Sequence, residues 1–352
     1  MNFLPQRYFS NLFVAIIIED GECRLLAKII KNKKVQKTYE AAFDNPQQDI
    51  LDPKVVEYIQ DKAKMCLDIY VAYFLGSIGQ GVLPTAEPEK FKKFFVDIKS
   101  VKQIKIANSW SAYASYLEIN STKKFFEEIG LDLLYSPFIL LNHCVQKENL
   151  RTKPTLYMYN HKDSFAIAVY KESKVLFGAF FRTSDNSSDD DMEKKEFSGQ
   201  DWNEVEEELG VESLILLDEN DSLEDYQSLD DLDDLDNLDA MIDGSSDEEQ
   251  DFDEGPQISY EEDMDAIDSE KSIELFGRNM LMYKYLKSSI EEFYSNKHYE
   301  SDFIENIVIF DNYEMSQTVF DILESELFVS IELQKVKTLE LMTELGLKDL
   351  GL

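Results

Sequence analysis

Histidines, cysteines and clustered carboxylates are the residues from which this chain could assemble reactive chemistry, and their spacing assembles little. His143, His161 and His298 fall in three separate predicted elements, so no local pattern joins them into a metal site or a base–nucleophile pair. G-x-S-x-G, H-E-x-x-H and G-x-x-x-x-G-K-[ST] are all absent. Cys23, Cys66 and Cys144 are odd in number, far apart and never arranged as C-x-x-C, which argues for a reducing compartment and against a disulfide framework or zinc site. Asp251-Phe252-Asp253-Glu254-Gly255 has the acidic density of a calcium loop but lacks its ligand spacing and closing Glu. The expectation is a protein with no catalytic residue, no metal and no cofactor.

The carboxylates matter instead by their distribution. The 352 residues include 35 Lys+Arg and 71 Asp+Glu, a formal charge of −36. Residues 185–270 hold 36 of those acids and only two bases, Lys194 and Lys195, so the rest of the chain carries a net −2. With 43% hydrophobic and 12% aromatic residues, that rest has the composition of ordinary globular domains. The acidic block repels nucleic acid and anionic lipid, and binding to either through it is not expected. Within it, Trp202–Leu217 reads as a helix followed by a short strand. From 218 to 269 the leucines at 229, 232, 235 and 238 match neither a helix nor a strand face, and the stretch reads as disordered. Two roles stay open: a polyanion that solubilises, shields a groove or meets a basic partner, or an inert insertion.

The longest apolar run, Leu12–Ile18, is far short of the roughly 20 residues that cross a bilayer and is followed at once by Glu19 and Asp20. The N-terminus has one basic residue, Arg7, a Pro at position 5 and no small-residue cleavage site, so a secretory signal is not expected. The expected location is the cytosol.

The elements that must position any site follow a doubled pattern. Asn11–Ala42 reads as a three-strand meander, followed by a Pro-initiated helix at Asp52–Met65 and a strand at Leu67–Leu75. Residues 76–130 read as a small α+β piece: a turn-rich Gly76–Gly81, a helix from about Glu87, a strand at Ile104–Ala107 and a helix at Ser111–Ile129. Leu131–Tyr135 and a short apolar helix follow. The meander then recurs at Thr155–Tyr159, Phe165–Tyr170 and Val175–Phe181. After the acidic block come a helix at Glu270–Ser295, a strand at Asn306–Phe310, a helix at Glu314–Leu327, a strand at Phe328–Leu333 and a C-terminal helix. The fold class is α/β, in two halves of β-β-β-α-β-α-β order. The first half spans 1–75 and 131–150, interrupted by an inserted subdomain at 76–130; the second spans 151–184 and 270–352, interrupted by the acidic insertion at 185–269.

Several residue stretches carry a family resemblance. They are Val14–Ile18 leading to Arg24, Gly76-Ser77 followed by Leu83-Pro84 and the helix from Glu87, the Glu128–Pro137 linker, the second meander and the strand at 306–310. In this order they resemble the actin-like (ribonuclease H-like) superfamily, and within it PilM, the FtsA-related cytoplasmic component of type IV pilus machines. The cytoplasmic domain of the type II secretion protein GspL is the nearest relative of that group.

The resemblance implies a nucleotide cleft, and this sequence departs from it at three places. Nucleotide-binding members carry Asp and then Gly in the first hairpin; here those positions are Ile17 and Glu19. In the second hairpin they are Tyr159 and His161, and the glycine cluster that receives adenosine is replaced by Asp311-Asn312-Tyr313-Glu314. An Ile cannot position a hydrated metal, and a Glu at a phosphate turn adds repulsion. What the resemblance then implies is a non-catalytic scaffold on the cytoplasmic face of an inner membrane, part of a type IV pilus, secretion or flagellar-motor machine. It would bind the N-terminal cytoplasmic peptide of a PilN-like single-span protein and reach the membrane only through that partner, with self-association into a ring or filament as a further implication and no nucleic acid involved. Two other readings stand beside it: an active ATPase that uses Asp20-Gly21 as a shifted phosphate turn, and an acidic decoy or chaperone working through 185–270.

Trp110, Tyr113, Tyr116 and Leu117 have near-helical spacing in the inserted subdomain, which fits core packing or a set of peptide anchors. Gly79, Gln80 and Gly81 fit either a plain turn or the lip of a peptide groove beside them.

Overall fold

The computed structural model describes residues 10–19, 21–45, 50–148, 151–183, 263–313, 315, 317–327 and 329–352. The expectations for Met1–Phe9, for Asp20 and for 184–262, including the elements read at Trp202–Leu217, lie outside these residues.

The chain begins with β1 (Ser10–Glu19), β2 (Glu22–Lys31), β3 (Lys34–Asp44), α1 (Pro53–Ala63) and β4 (Cys66–Phe74). An inserted sheet follows, made of β5 (Gln80–Leu83), a 3-10 helix (Pro88–Phe94), β6 (Val101–Ile106) and β7 (Trp110–Ser115). Then come α2 (Tyr116–Phe125), β8 (Leu133–Tyr135) and α3 (Pro137–Lys147). The second half runs β9 (Thr155–Asn160), β10 (Ser164–Lys171), β11 (Lys174–Arg182), α4 (Asp263–Ser295), β12 (Asn306–Asp311), α5 (Gln317–Leu327), β13 (Ser330–Lys335) and α6 (Thr338–Asp349).

The two large sheets have the orders β3-β2-β1-β4-β8 and β11-β10-β9-β12-β13. In each, an antiparallel meander adds two parallel strands beside its first strand. The central strand β1 is covered on both faces, which is why Leu12–Ile17 reads as an unbroken apolar run and is buried throughout. Local signals start the helices where expected. The Asp52 carboxylate accepts the Lys54 N–H at 2.7 Å ahead of Pro53, and the Ser136 hydroxyl accepts the Phe138 N–H ahead of Pro137.

Two helices join the halves. α3 packs on β9 and β10, and α6 returns to pack on β1, β2 and β4. The core between them therefore mixes Phe13 and Ile17 of β1, Leu140 of α3, Tyr157 and Tyr159 of β9, and Met342 of α6. The α6 backbone comes so close to β1 that a Cβ on Gly346 would lie 2.2 Å from the Phe13 ring.

The inserted subdomain differs from its expected form. Trp110–Ser115 is strand β7 rather than the start of a helix: Trp110 and Ala112 face the core, and the helix begins only after Ser115, whose hydroxyl accepts the Glu118 N–H. The turn-rich Gly79–Gly81 runs into strand β5, paired with β7. Phe126, just beyond α2, is fully buried in the outer core of the first sheet, together with the partly buried Phe125 and Ile129. α2 therefore crosses over in the first half, as α5 does in the second, and the insertion proper ends near 115 rather than 130. The 3-10 helix replaces the helix expected from Glu87. α4 starts at Asp263, so the last acidic residues, expected to be disordered to 269, are helical. α5 and β13 begin at Gln317 and Ser330, later than expected.

Candidate functional site

The strand order brings the three sets of substituted positions to one place. The β1–β2 turn and the β9–β10 turn lie at corresponding ends of the two sheets, and the end of β12 lies beside β9. Glu19 ends β1 and is 9% exposed; His161 follows β9 and is 1% exposed. One Glu19 carboxylate oxygen forms an ion pair with His161 Nδ1, and the other accepts from Arg24 Nη2 at 2.5 Å. The imidazole is stacked on Phe74, with ring centres 4.4 Å apart. Burial alone would raise the Glu19 pKa, but His161 and then Arg24 outweigh it and hold the carboxyl below its ordinary value.

The remaining positions are consumed in the same way. Ile17 is 2% exposed and belongs to the core between the halves. The buried Tyr159 hydroxyl shares a 2.7 Å hydrogen bond with Thr338 Oγ1 at the start of α6. Asn312 Oδ1 accepts the Thr338 N–H at 3.0 Å, capping that helix from another segment. Asp311 accepts the Asn160 side-chain N–H at 2.7 Å and the main-chain N–H groups of Tyr313 and Met315.

Arg278 of α4 closes the arrangement. It donates to the Asn160 side chain and the Lys162 carbonyl, both at 2.7 Å, and to the His161 carbonyl, while its guanidinium lies 4.8 Å from the Tyr313 ring centre. Burial draws its pKa down, partly offset by Tyr313 and Asp311. Nothing in the local sequence marked Arg278: only the return of α4 to the β9–β10 turn gives it a role.

These residues do not fit a nucleotide with its divalent ion. The carboxylates of Glu19 and Asp311 have both oxygens committed to protein donors, and an ion pair bridges the two turns between which phosphates would lie. Gly21, which the shifted-turn reading uses, takes a φ of +72° where β1 turns into β2. The cysteines are not activated, since burial pushes the Cys23 and Cys144 thiols up to about 12. Among the described residues no group of His, Cys, Asp and Glu is placed to hold a metal ion.

Beside the ion pair lies an open cleft of about 600 Å³, lined by Glu19 and Gly21 of the first hairpin turn, Asp163 and Ser164 of the second, Arg182 of β11, and Ser121 and Phe125 of α2 among others. The Ser77 hydroxyl on its wall is buried with no hydrogen-bond partner among the described residues. The partner-binding positions read from sequence fall elsewhere. Trp110 is fully buried and packs edge-on against Tyr170 of β10, so it is a core residue. Gln80 is pinned, donating to the Leu75 and Ser77 carbonyls and accepting from Ser136 Oγ at 2.6 Å. A Cβ on Gly81 would lie 2.6 Å from the Tyr113 hydroxyl, so that pair is a packing contact, and Gly79 holds the turn into β5 at a φ of +85°. Tyr116, 45% exposed, keeps a free face.

Two sheets of identical order, each built from a meander and two crossovers and joined by helices that pack on the opposite half, define an actin-like protein. The chain belongs to the family described as Domain of unknown function (DUF8341), which matches residues 156–351; a second, Domain of unknown function (DUF8569), matches residues 9–142. No curated protein sequence matches it. Among solved structures it is similar to a Bacteroides thetaiotaomicron protein with an actin-like ATPase fold and unknown function, at 9% identity over 95% of this chain and 93% of that one, TM-score 0.44. It is also similar to a chain of the PilM-PilN type IV pilus biogenesis complex, at 10% identity over 91% and 87%, TM-score 0.46. A third is MreB 5 of Spiroplasma citri bound to AMPPNP, at 10% identity over 97% of both chains, TM-score 0.41. The architecture is read from the strand order, not from these likenesses.

Proposed function

We propose that this protein is a non-catalytic, actin-like scaffold that binds a peptide of a membrane partner instead of a nucleotide. The observation that carries this reading is the Glu19–His161 ion pair, which ties the two hairpin turns together with side chains of the chain itself. The neighbouring cleft supports the peptide. Its volume lies within the range of ligand sites, its walls combine Ile, Tyr and Phe with many polar and charged groups such as Glu118, Lys124, Asp163 and Arg182, and the unpartnered Ser77 hydroxyl can meet a peptide backbone. The sequence resemblance to PilM makes the N-terminal cytoplasmic segment of a PilN-like single-span protein the partner to test, at the inner membrane of a pilus, secretion or flagellar machine. Among the described residues no helix is long and apolar enough to cross a membrane, so attachment through such a partner is consistent with the chain.

The test is recovery of the tagged protein from detergent-solubilised membranes of its host after mild crosslinking, with mass spectrometry of what comes with it. Recovery of a single-span protein crosslinked through its cytoplasmic N-terminus supports the reading. A preparation free of membrane partners, or saturable micromolar binding of ATP with Mg²⁺, overturns it.

A further inference from the structure

The end of the first sheet opposite the ion pair has an unusual surface. β1 pairs Asn11 with Ile30 on one side and Ser10 with Cys66 on the other, so the β2–β3 turn and the α1–β4 turn flank the same end of β1. Strands are spaced about 4.8 Å apart, which puts the two turns roughly 10 Å from each other. Lys62, near the end of α1, lies 5.2 Å from the Tyr39 ring centre, so the end of α1 packs beside β3.

The first turn carries Lys31, Lys33 and Lys34, with Lys37 two and Lys28 three rows behind the Lys31–Lys34 pair; none of the five forms an ion pair among the described residues. Lys33 is held at a φ of +61°, a left-handed conformation unusual for lysine, at the outermost point of the hairpin. The second turn exposes Met65 at 89% and Leu67 at 53%, and Val35 on the first is 47% exposed. Exposed Met65 and Leu67, next to Lys62 and Lys64 that pair with Asp61, thus lie at a turn neighbouring the unpaired lysines of the hairpin.

We infer that this end of the protein rests on an anionic lipid surface. Exposed apolar patches mark either protein partners or membranes, and the composition chooses between them. Protein interfaces are enriched in Arg and depleted in Lys, and this hairpin has five unpaired lysines and no Arg between Lys28 and Lys37. Lysines that reach to headgroups around shallowly inserted Met and Leu side chains are the pattern of an interfacial anchor. The chain's overall negative charge does not forbid it. At physiological salt charges act over about 8 Å, so the local lysines decide, not the acids of 185–270. The contact is independent of the cleft, which lies at the other end of a ten-residue strand, about 30 Å away. It supplements recruitment by a protein partner and does not depend on it.

The test is co-sedimentation of the full chain with vesicles of phosphatidylcholine alone and with 30% phosphatidylglycerol, at low and at physiological salt. Binding should be at least tenfold stronger to the anionic vesicles. The triple change Lys31→Glu, Lys33→Glu, Lys34→Glu should abolish that preference, and Met65→Ser with Leu67→Ser should remove the part that survives salt. All five side chains lie at turns or a strand end, and melting curves unchanged within a few degrees verify folding; the milder triple Lys→Gln change gives a second reading. Absence of binding, equal binding to both vesicles, or a triple variant that binds like the parent overturns the inference. So does lipid-free self-association that the same triple change dissolves, since that would assign this surface to a second copy.

Discussion

Glu19 and His161 belong to different halves of the protein, 142 positions apart in sequence, and meet as a buried ion pair between the two hairpin turns. A charged pair taken out of water persists only where its members also find other support. Arg24 supplies that on one side and the stacked Phe74 ring on the other. Removing one member leaves the other buried without its partner. Glu19→Ala is expected to lower stability by roughly 3 kcal/mol, the low end for breaking a buried pair. Chemical denaturation read by circular dichroism measures it; a loss under about 0.5 kcal/mol would show that the pair contributes little.

The same carboxylate sets a pH dependence. Its folded pKa lies below the ordinary carboxylate value, so the unfolded chain binds the proton more readily and acid favours unfolding. The stabilisation is complete above about pH 5 and is lost as pH falls through the lower folded value. Comparing the full chain with Glu19→Gln cancels the many other acids. The stability gap between the two should be constant from about pH 5 to 7 and shrink below pH 4; a gap that widens on acidification would contradict the assignment.

Gly346 offers a test of how α6 docks. In an exposed helix Gly→Ala stabilises by about 1 kcal/mol. Here the added methyl would overlap the Phe13 ring, itself fully buried. Gly346→Ala should therefore destabilise by about 1–3 kcal/mol, the usual cost of overpacking. A raised melting temperature would mean that the helix stands off the sheet.

Nucleotide binding is predicted to be absent. Isothermal titration of the full chain with ATP or ADP and Mg²⁺ should give no saturable heat up to millimolar concentration, because phosphate oxygens would meet the Glu19 carboxylate and the committed Asp311.

The cleft can be blocked without touching the core. Ser121 lines it and is exposed on α2, so Ser121→Trp should fill the opening while leaving the melting temperature within about 2 °C. Recovery of the membrane partner should fall at least tenfold. By contrast Tyr116→Ala, outside the cleft lining, should leave recovery unchanged; the reverse pattern would return the binding surface to the aromatic positions.

The doubled meander was legible in the sequence because both copies are central or near-central strands whose burial demands short apolar runs between polar turns. Val14–Ile18 and Phe165–Tyr170 announce themselves for that reason. Ile17, Glu19, Tyr159 and His161 were singled out only through the family resemblance, which says where the two hairpin turns fall and not what their side chains touch. The inserted subdomain was misread where two periods overlap: Trp110, Tyr113 and Tyr116 satisfy a helical spacing, but Trp110 and Ala112 alternate with Ser111 and Tyr113 as a strand requires, and only pairing with β5 and β6 decides between them.

The sequence by itself determined the two-half architecture, because strand burial, helix capping and turn chemistry are local and leave a pattern in neighbouring positions. Only the tertiary structure decided what meets at the two hairpin turns. The Glu19–His161 pair, the capping of α6 by Asn312, the docking of Arg278 on the β9–β10 turn and the meeting of lysines with Met65 at one sheet end all join residues far apart in the chain. Such contacts are selected by how layers pack around a shared core, and no spacing along the chain encodes them.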